Sequence, residues 1–239
     1  MKNITYLFLA FVLIFSSCSD EEIPAQMTVD LNFENTLNGK PLQLNSETFT
    51  LPSGEPFIAK KLKYYISNVV LTDTKSGAVY TVPNSYHLLG EDFKSTVELG
   101  MIPSANYDQI TFSIGVDQVA NAKTDQTGDL DPNNEMAWNW NSGYKFVVLE
   151  GEFTHKTTGV RTGLVLHIGR NQNYKTVTQS LTGIRSGRAA QIQLKTVIDQ
   201  LFLSPNALKV SELPSTTIMG GELADKIGEN YASGFITIE

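Results

Sequence analysis

Two tryptophans and three histidines are the side chains of this 239-residue protein whose types and spacing could do chemistry. Trp138 and Trp140 stand two positions apart in the run Asp129-Leu-Asp-Pro-Asn-Asn-Glu-Met-Ala-Trp-Asn-Trp-Asn-Ser-Gly-Tyr144. On a strand, Met136, Trp138 and Trp140 share one face, which suits core packing or a platform on which a sugar ring stacks. The histidines are His87, His155 and His167. Imidazole nitrogens suit copper, and thioether sulfurs suit its reduced form. Met101, Met136 and Met219 nevertheless read more simply as packing residues, and a lone histidine as a ring bonded to a carbonyl.

Hard oxygens gather in one loop at Asp125, Asp129, Asp131, Asn133, Asn134 and Glu135. Calcium takes about six to eight such ligands. Pro132 and Asn134 interrupt the EF-hand spacing, and no glycine stands where its sharp turn needs one. A solvated acidic loop is therefore the simpler reading, with a calcium site second to it. No Gly-x-Ser-x-Gly elbow, His-Glu-x-x-His helix or phosphate-binding glycine loop occurs, so the expectation is a binding protein and not an enzyme. Paired carboxylates for glycoside hydrolysis depend on the fold for their separation and escape this test.

These residues need elements to position them. Segments of period two recur at 27–33, 61–71, 78–82, 86–89, 95–99, 109–116, 144–153, 163–168, 174–181 and 190–197, which reads as strands. Turn signals such as Asn38-Gly39, Ser76-Gly77 and Thr158-Gly159 separate them. Near the end, Leu223, Ile227 and Tyr231 fall four apart on one helical face, and a last strand at 234–238 follows. The expected fold is all-β, a single antiparallel sandwich or barrel-like domain with a short C-terminal helix. Residues 117–135 form the longest stretch without a pattern, and loops of that length are usually functional.

The N-terminus reads as a secretory signal: Lys2, then apolar residues from Ile4 to Phe15 relieved only by Thr5, then Ser16 and Ser17. That run is too short for a helix that needs about 20 residues to span a bilayer. Ser16, Ser17 and Cys18, the chain's single cysteine, resemble a bacterial lipobox with Phe15 where leucine is commoner. Cleavage after residue 17 and lipidation of Cys18 would anchor the protein to a membrane, because two acyl chains hold where one does not. Ser19, Asp20, Glu21 and Glu22 resemble the acidic tag of Bacteroidetes surface lipoproteins. The expected organisation is a signal peptide at 1–17, an acidic linker at 18–26 and a β domain at 27–239, on an outer membrane facing the periplasm or the cell exterior. Of 18 basic residues Lys2 leaves with the signal, so 17 face 25 acidic ones, a net charge of −8. Such acidity argues against nucleic acid as a partner.

Several words of the sequence resemble the MbnP-like family, named for a methanobactin-associated, copper-binding periplasmic protein. They are Leu62-Lys-Tyr-Tyr-Ile-Ser-Asn-Val69, Tyr86-His-Leu-Leu89, Phe112-Ser-Ile-Gly-Val-Asp117, Leu130-Asp-Pro132, Met136-Ala-Trp-Asn-Trp-Asn-Ser-Gly-Tyr144, Leu149-Glu-Gly151 and Leu166-His-Ile-Gly169. Glu135 and Ala137 depart from the pattern, replacing a glycine and an aromatic residue. The resemblance implies a copper ion held by histidines and by a tryptophan oxidised to kynurenine, with a dihaem peroxidase-like enzyme as the oxidising partner. It points to His87 and His167 as ligands, to Trp138 or Trp140 as the modified residue, and less directly to His155. The alternative reading is an adhesion or glycan-binding lipoprotein whose Trp138, Trp140 and Tyr144 form a stacking platform.

Overall fold

The computed structural model describes residues 26–91, 94–123, 125–138 and 143–239. The signal segment, Cys18 and Trp140 lie outside the described residues. Among the described residues, the strands in chain order are β1 (Gln26–Leu37), β2 (Lys40–Pro41), β3 (Phe49–Thr50), β4 (Pro56–Asp73), β5 (Ala78–Thr81), β6 (Tyr86–Gly90) and β7 (Thr96–Pro103). They continue with β8 (Gln109–Ile114), β9 (Lys145–Thr154), β10 (Arg161–Gly169), β11 (Lys175–Ser180), β12 (Ala190–Val197), β13 (Thr217–Ile218) and β14 (Ile236–Ile238). Helix α1 (Gln118–Asn121) precedes β9, and helix α2 (Glu222–Ala232) precedes β14.

The strands form two sheets. The smaller runs β14-β12-β1-β2, with β7 also paired to β1. The larger runs β11-β8-β4-β9-β10-β13, and β3, β5 and β6 line β4 as well. The chain is all-β as its alternation predicts, yet not wholly antiparallel. β1 pairs with β12 in parallel, Val29 opposite Ala190, and β10 pairs in parallel with β13. Parallel partners cannot share a hairpin, so local turn signals do not reveal them.

Alternation along β4 explains the layers. Leu62, Tyr64 and Ile66 point into the core between the sheets, while Tyr65 points outward into a second apolar cluster with Leu88, Met136, Tyr144, Phe146 and Val148. Tyr64 joins the two sheets: its hydroxyl donates to Asn35 Oδ1 at 3.0 Å and lies 2.7 Å from Thr196 Oγ1. Such a buried network fixes the sheet-to-sheet register, because an unpaired hydroxyl there would cost about 1–3 kcal/mol.

The stretch 117–135 is not structureless. Asp117 caps α1, accepting from the Val119 and Ala120 amides, and Asp131 caps a 3₁₀ turn at Pro132–Asn134. An acidic cap followed by proline at the first helical position is a start signal. The segment packs Ala120 and Leu130 onto the outer cluster, joined by Met136 just beyond it, and so lies across the outer face of the large sheet. Helix α2 meets its expectation, burying Ile227 and Tyr231. Met101 and Met219 do not meet theirs as packing residues: they are 59% and 43% exposed, and of the three methionines singled out only Met136 is core. Among the described residues no helix is long and apolar enough to cross a membrane.

Candidate functional site

Residues 136–138 pair with residues 143–145 at the start of β9. Ala137 bridges Tyr144, the Trp138 amide donates to the Gly143 carbonyl at 2.9 Å, and the Lys145 amide donates to the Met136 carbonyl at 2.7 Å. Met136 is thereby driven into the outer cluster, and Trp138 is left half-buried above β10. Its ring meets that of His167 edge-on, with centroids 6.0 Å apart at 70°. Gly169 permits this approach: a Cβ there would lie 2.9 Å from Trp138 Nε1 and 2.5 Å from the Tyr144 carbonyl oxygen. Among the described residues the buried indole N–H has no hydrogen-bond partner. Buried donors are rarely left so.

His167 stands opposite Val148, and Glu150 opposite Val165, so the two are diagonal neighbours on one face. His167 Nε2 lies 2.8 Å from Glu150 Oε1, and the histidine side chain is 14% exposed. Beside them is a cavity of about 320 Å³ lined by Lys61, Lys63, Glu135, Met136, Ala137, Lys145, Val148 and Glu150. Lys61 pairs with Glu135 at 3.0 Å, and Lys145 donates to the Glu135 carbonyl at 2.7 Å. The Lys145 ammonium sits 5.8 Å from the Trp138 ring centroid. Burial, reinforced by Lys61, holds this amine below the usual lysine range.

The two histidines expected to converge are separated. His167 shares a face with Val148 and Lys63 through β9 and β4, whereas His87 lies opposite Ile66. Lys63 and Ile66 are an odd number of positions apart on an unbulged part of β4, so the histidines occupy opposite faces. Three strand spacings of about 4.8 Å add roughly 14 Å between them across the sheet. One ion cannot bind both. His155 is more remote still, in the turn joining β9 to β10, where Nδ1 accepts from the Thr157 amide at 3.3 Å.

His87 sits near an open cleft of about 570 Å³ that also involves Asn84, Lys94 and Asp129. Its Nε2 lies 3.1 Å from Ser85 Oγ. Burial pushes the imidazole down to about 4, and Lys94 adds to the effect. An unfolded histidine titrates near 6.5. Between about pH 6.5 and 4 the unfolded chain binds a proton that the folded chain refuses, so this contribution is whole above that window and is lost as pH falls through it. The full shift corresponds to at most about 3 kcal/mol. Urea midpoints are expected to drop across that window, and His87→Gln to flatten the drop. A variant whose midpoints follow the parent curve would assign the pH dependence to other groups.

The acidic loop does not gather its oxygens around a cation. Asp129 accepts from the Leu88 amide at 2.8 Å and from the Lys94 ammonium. Asp131 accepts from the Asn133 amide at 2.8 Å, and Glu135 faces Lys61 and Lys63. These carboxylates tie the loop to β4 and β6. Among the described residues no group of three or more His, Cys, Asp or Glu could hold a metal ion. Sequence reasoning missed Glu150, although Leu149-Glu-Gly151 stood among the family words. The signal was its distance of two residues from the partner of His167, which only the pairing reveals.

The solved structure of MbnP from Methylosinus trichosporium has a similar fold, with a TM-score of 0.61 covering 81% of this chain and 83% of that one at 17% sequence identity. No curated protein matches the chain in sequence. The sequence model of the family described as MbnP matches residues 26–219. That match runs from the first strand through the tryptophan segment and the strands of His87 and His167 to β13, and on its strength the chain belongs to the MbnP family.

Proposed function

We propose that this protein is an extracytoplasmic copper-binding protein of the cell envelope, tethered by a lipid on Cys18, that sequesters or delivers the metal and does not act as an enzyme. Its copper ligands are His167 and an oxidised Trp138. The observation that carries this reading is the indole ring 6.0 Å from the His167 ring, with a buried N–H that has no partner among the described residues.

The donor set fits copper only after the indole is opened. Intact indole offers a hydrogen-bond donor and no lone pair, which leaves one imidazole and one carboxylate. Oxidative cleavage of its pyrrole C2–C3 bond, with C2 then leaving as formate by hydrolysis, would expose an aromatic amine and a carbonyl beside the same imidazole, and nitrogen donors suit copper. Trp138 is chosen over Trp140 because of its contact with His167. The oxidising equivalents come from a partner, a dihaem peroxidase-like enzyme in this reading, because a chain with one cysteine has no Cys-x-x-Cys-His haem site. Trp138 edge-on to a histidine is a poor free stacking face, which disfavours the glycan-platform alternative.

The test is the intact mass and metal content of the mature protein isolated from its native host. The expected result is one copper per chain and a kynurenine mass in the peptide carrying Trp138, lost in Trp138→Phe and kept in Trp140→Phe. Unmodified tryptophan together with absent copper would sink the proposal.

A further inference from the structure

We infer that Glu150 is the positioning residue of this site: it holds His167 with the Nε2 hydrogen on the carboxylate, leaving Nδ1 as the nitrogen offered to the metal. The inference rests on the copper reading above. Strand pairing makes the contact unavoidable, because β9 and β10 set Glu150 and His167 on adjacent rungs of one face. The 2.8 Å separation is that of a short hydrogen bond to a charged acceptor. A carboxylate only accepts hydrogen bonds, so the shared hydrogen belongs to the imidazole, and the neutral ring keeps its lone pair at Nδ1. The ring has little freedom to turn away. It is 14% exposed, the Trp138 ring packs against it edge-on, and neighbouring Gly169 admits no side chain larger than hydrogen without meeting Trp138 or Tyr144.

This arrangement makes a prediction that direct ligation by Glu150 does not share. If the carboxylate only orients the ring, the Nε2 hydrogen survives metal binding; if Glu150 and Nε2 both ligate, that hydrogen is expelled. The experiment is proton and ¹⁵N NMR of the full mature chain with labelled histidine and Trp138 already oxidised, before and after addition of Cu(I) alone, together with Cu(I) competition titrations. The expected result is a slowly exchanging His167 Nε2 hydrogen that persists with Cu(I). Glu150→Gln, which still accepts the bond, should keep both the hydrogen signal and affinity near the parent value. Glu150→Ala should lose the protected signal and bind Cu(I) about 10- to 100-fold more weakly. Disappearance of the Nε2 hydrogen on metal addition, or parental affinity in Glu150→Ala, overturns the assignment. Failure of the copper reading itself has a separate signature, namely His167→Ala binding Cu(I) as tightly as the parent.

Discussion

His167→Ala is expected to weaken Cu(I) binding at least a hundredfold, about 2.7 kcal/mol, while His87→Ala and His155→Ala change it by less than about twofold, some 0.4 kcal/mol. The asymmetry follows from strand register. His167 is on the face covered by Trp138, with its other ring nitrogen engaged by Glu150. His87 belongs to the opposite face of the same sheet, and His155 lies in the turn joining β9 to β10. Removing an imidazole from a site with few nitrogen donors leaves a carboxylate and whatever the tryptophan supplies, a set that suits copper less well. Competition against a chromophoric Cu(I) chelator measures all three variants on one scale. Equal losses for His87→Ala and His167→Ala would mean that the ion sits elsewhere and that the face argument is wrong.

Gly169→Ala should cost about 2 kcal/mol or more of stability and dislodge Trp138 from His167. The added methyl would sit 2.5 Å from the Tyr144 carbonyl oxygen, a backbone atom. That oxygen can retreat only by opening the pairing of Lys145 with Gly169 at the start of β9. The second contact, 2.9 Å to Trp138 Nε1, pushes the indole off its seat, so tryptophan fluorescence should shift along with the unfolding midpoint. Gly163 in the same strand is the control. A methyl added there would have no atom within 4 Å, and Gly163→Ala should be neutral or stabilise by up to about 1 kcal/mol, because alanine loses less backbone freedom on folding. Equal destabilisation by both substitutions would attribute the effect to strand propensity and remove the steric role assigned to Gly169.

Much of this arrangement is legible in the chain alone. The Asn38-Gly39 turn is a two-residue hairpin joining Leu37 to Lys40, with both residues at positive φ, as the dipeptide signals. The face of Leu223, Ile227 and Tyr231 folds as α2, and the alternating segments fold as strands. Asp117 and Asp131 were legible in principle: each is an acidic cap ahead of a helical turn, hidden because the acidic residues around them suggested a solvated loop or a cation site.

The sequence by itself determined most of the strands, the turns, helix α2 and the side chains whose chemistry would suit a metal, because these depend on periodicity and on side-chain chemistry within a few positions. Only the tertiary structure decided which of them meet. In a sheet a shift of one position turns a side chain to the other face, and neither the partner of a strand nor its register is written in the strand alone. That is why His87 and His167, equivalent as words in the chain, end on opposite faces of one sheet. Glu150, unremarked as a residue, becomes the neighbour of His167 because β9 pairs with β10 where it does.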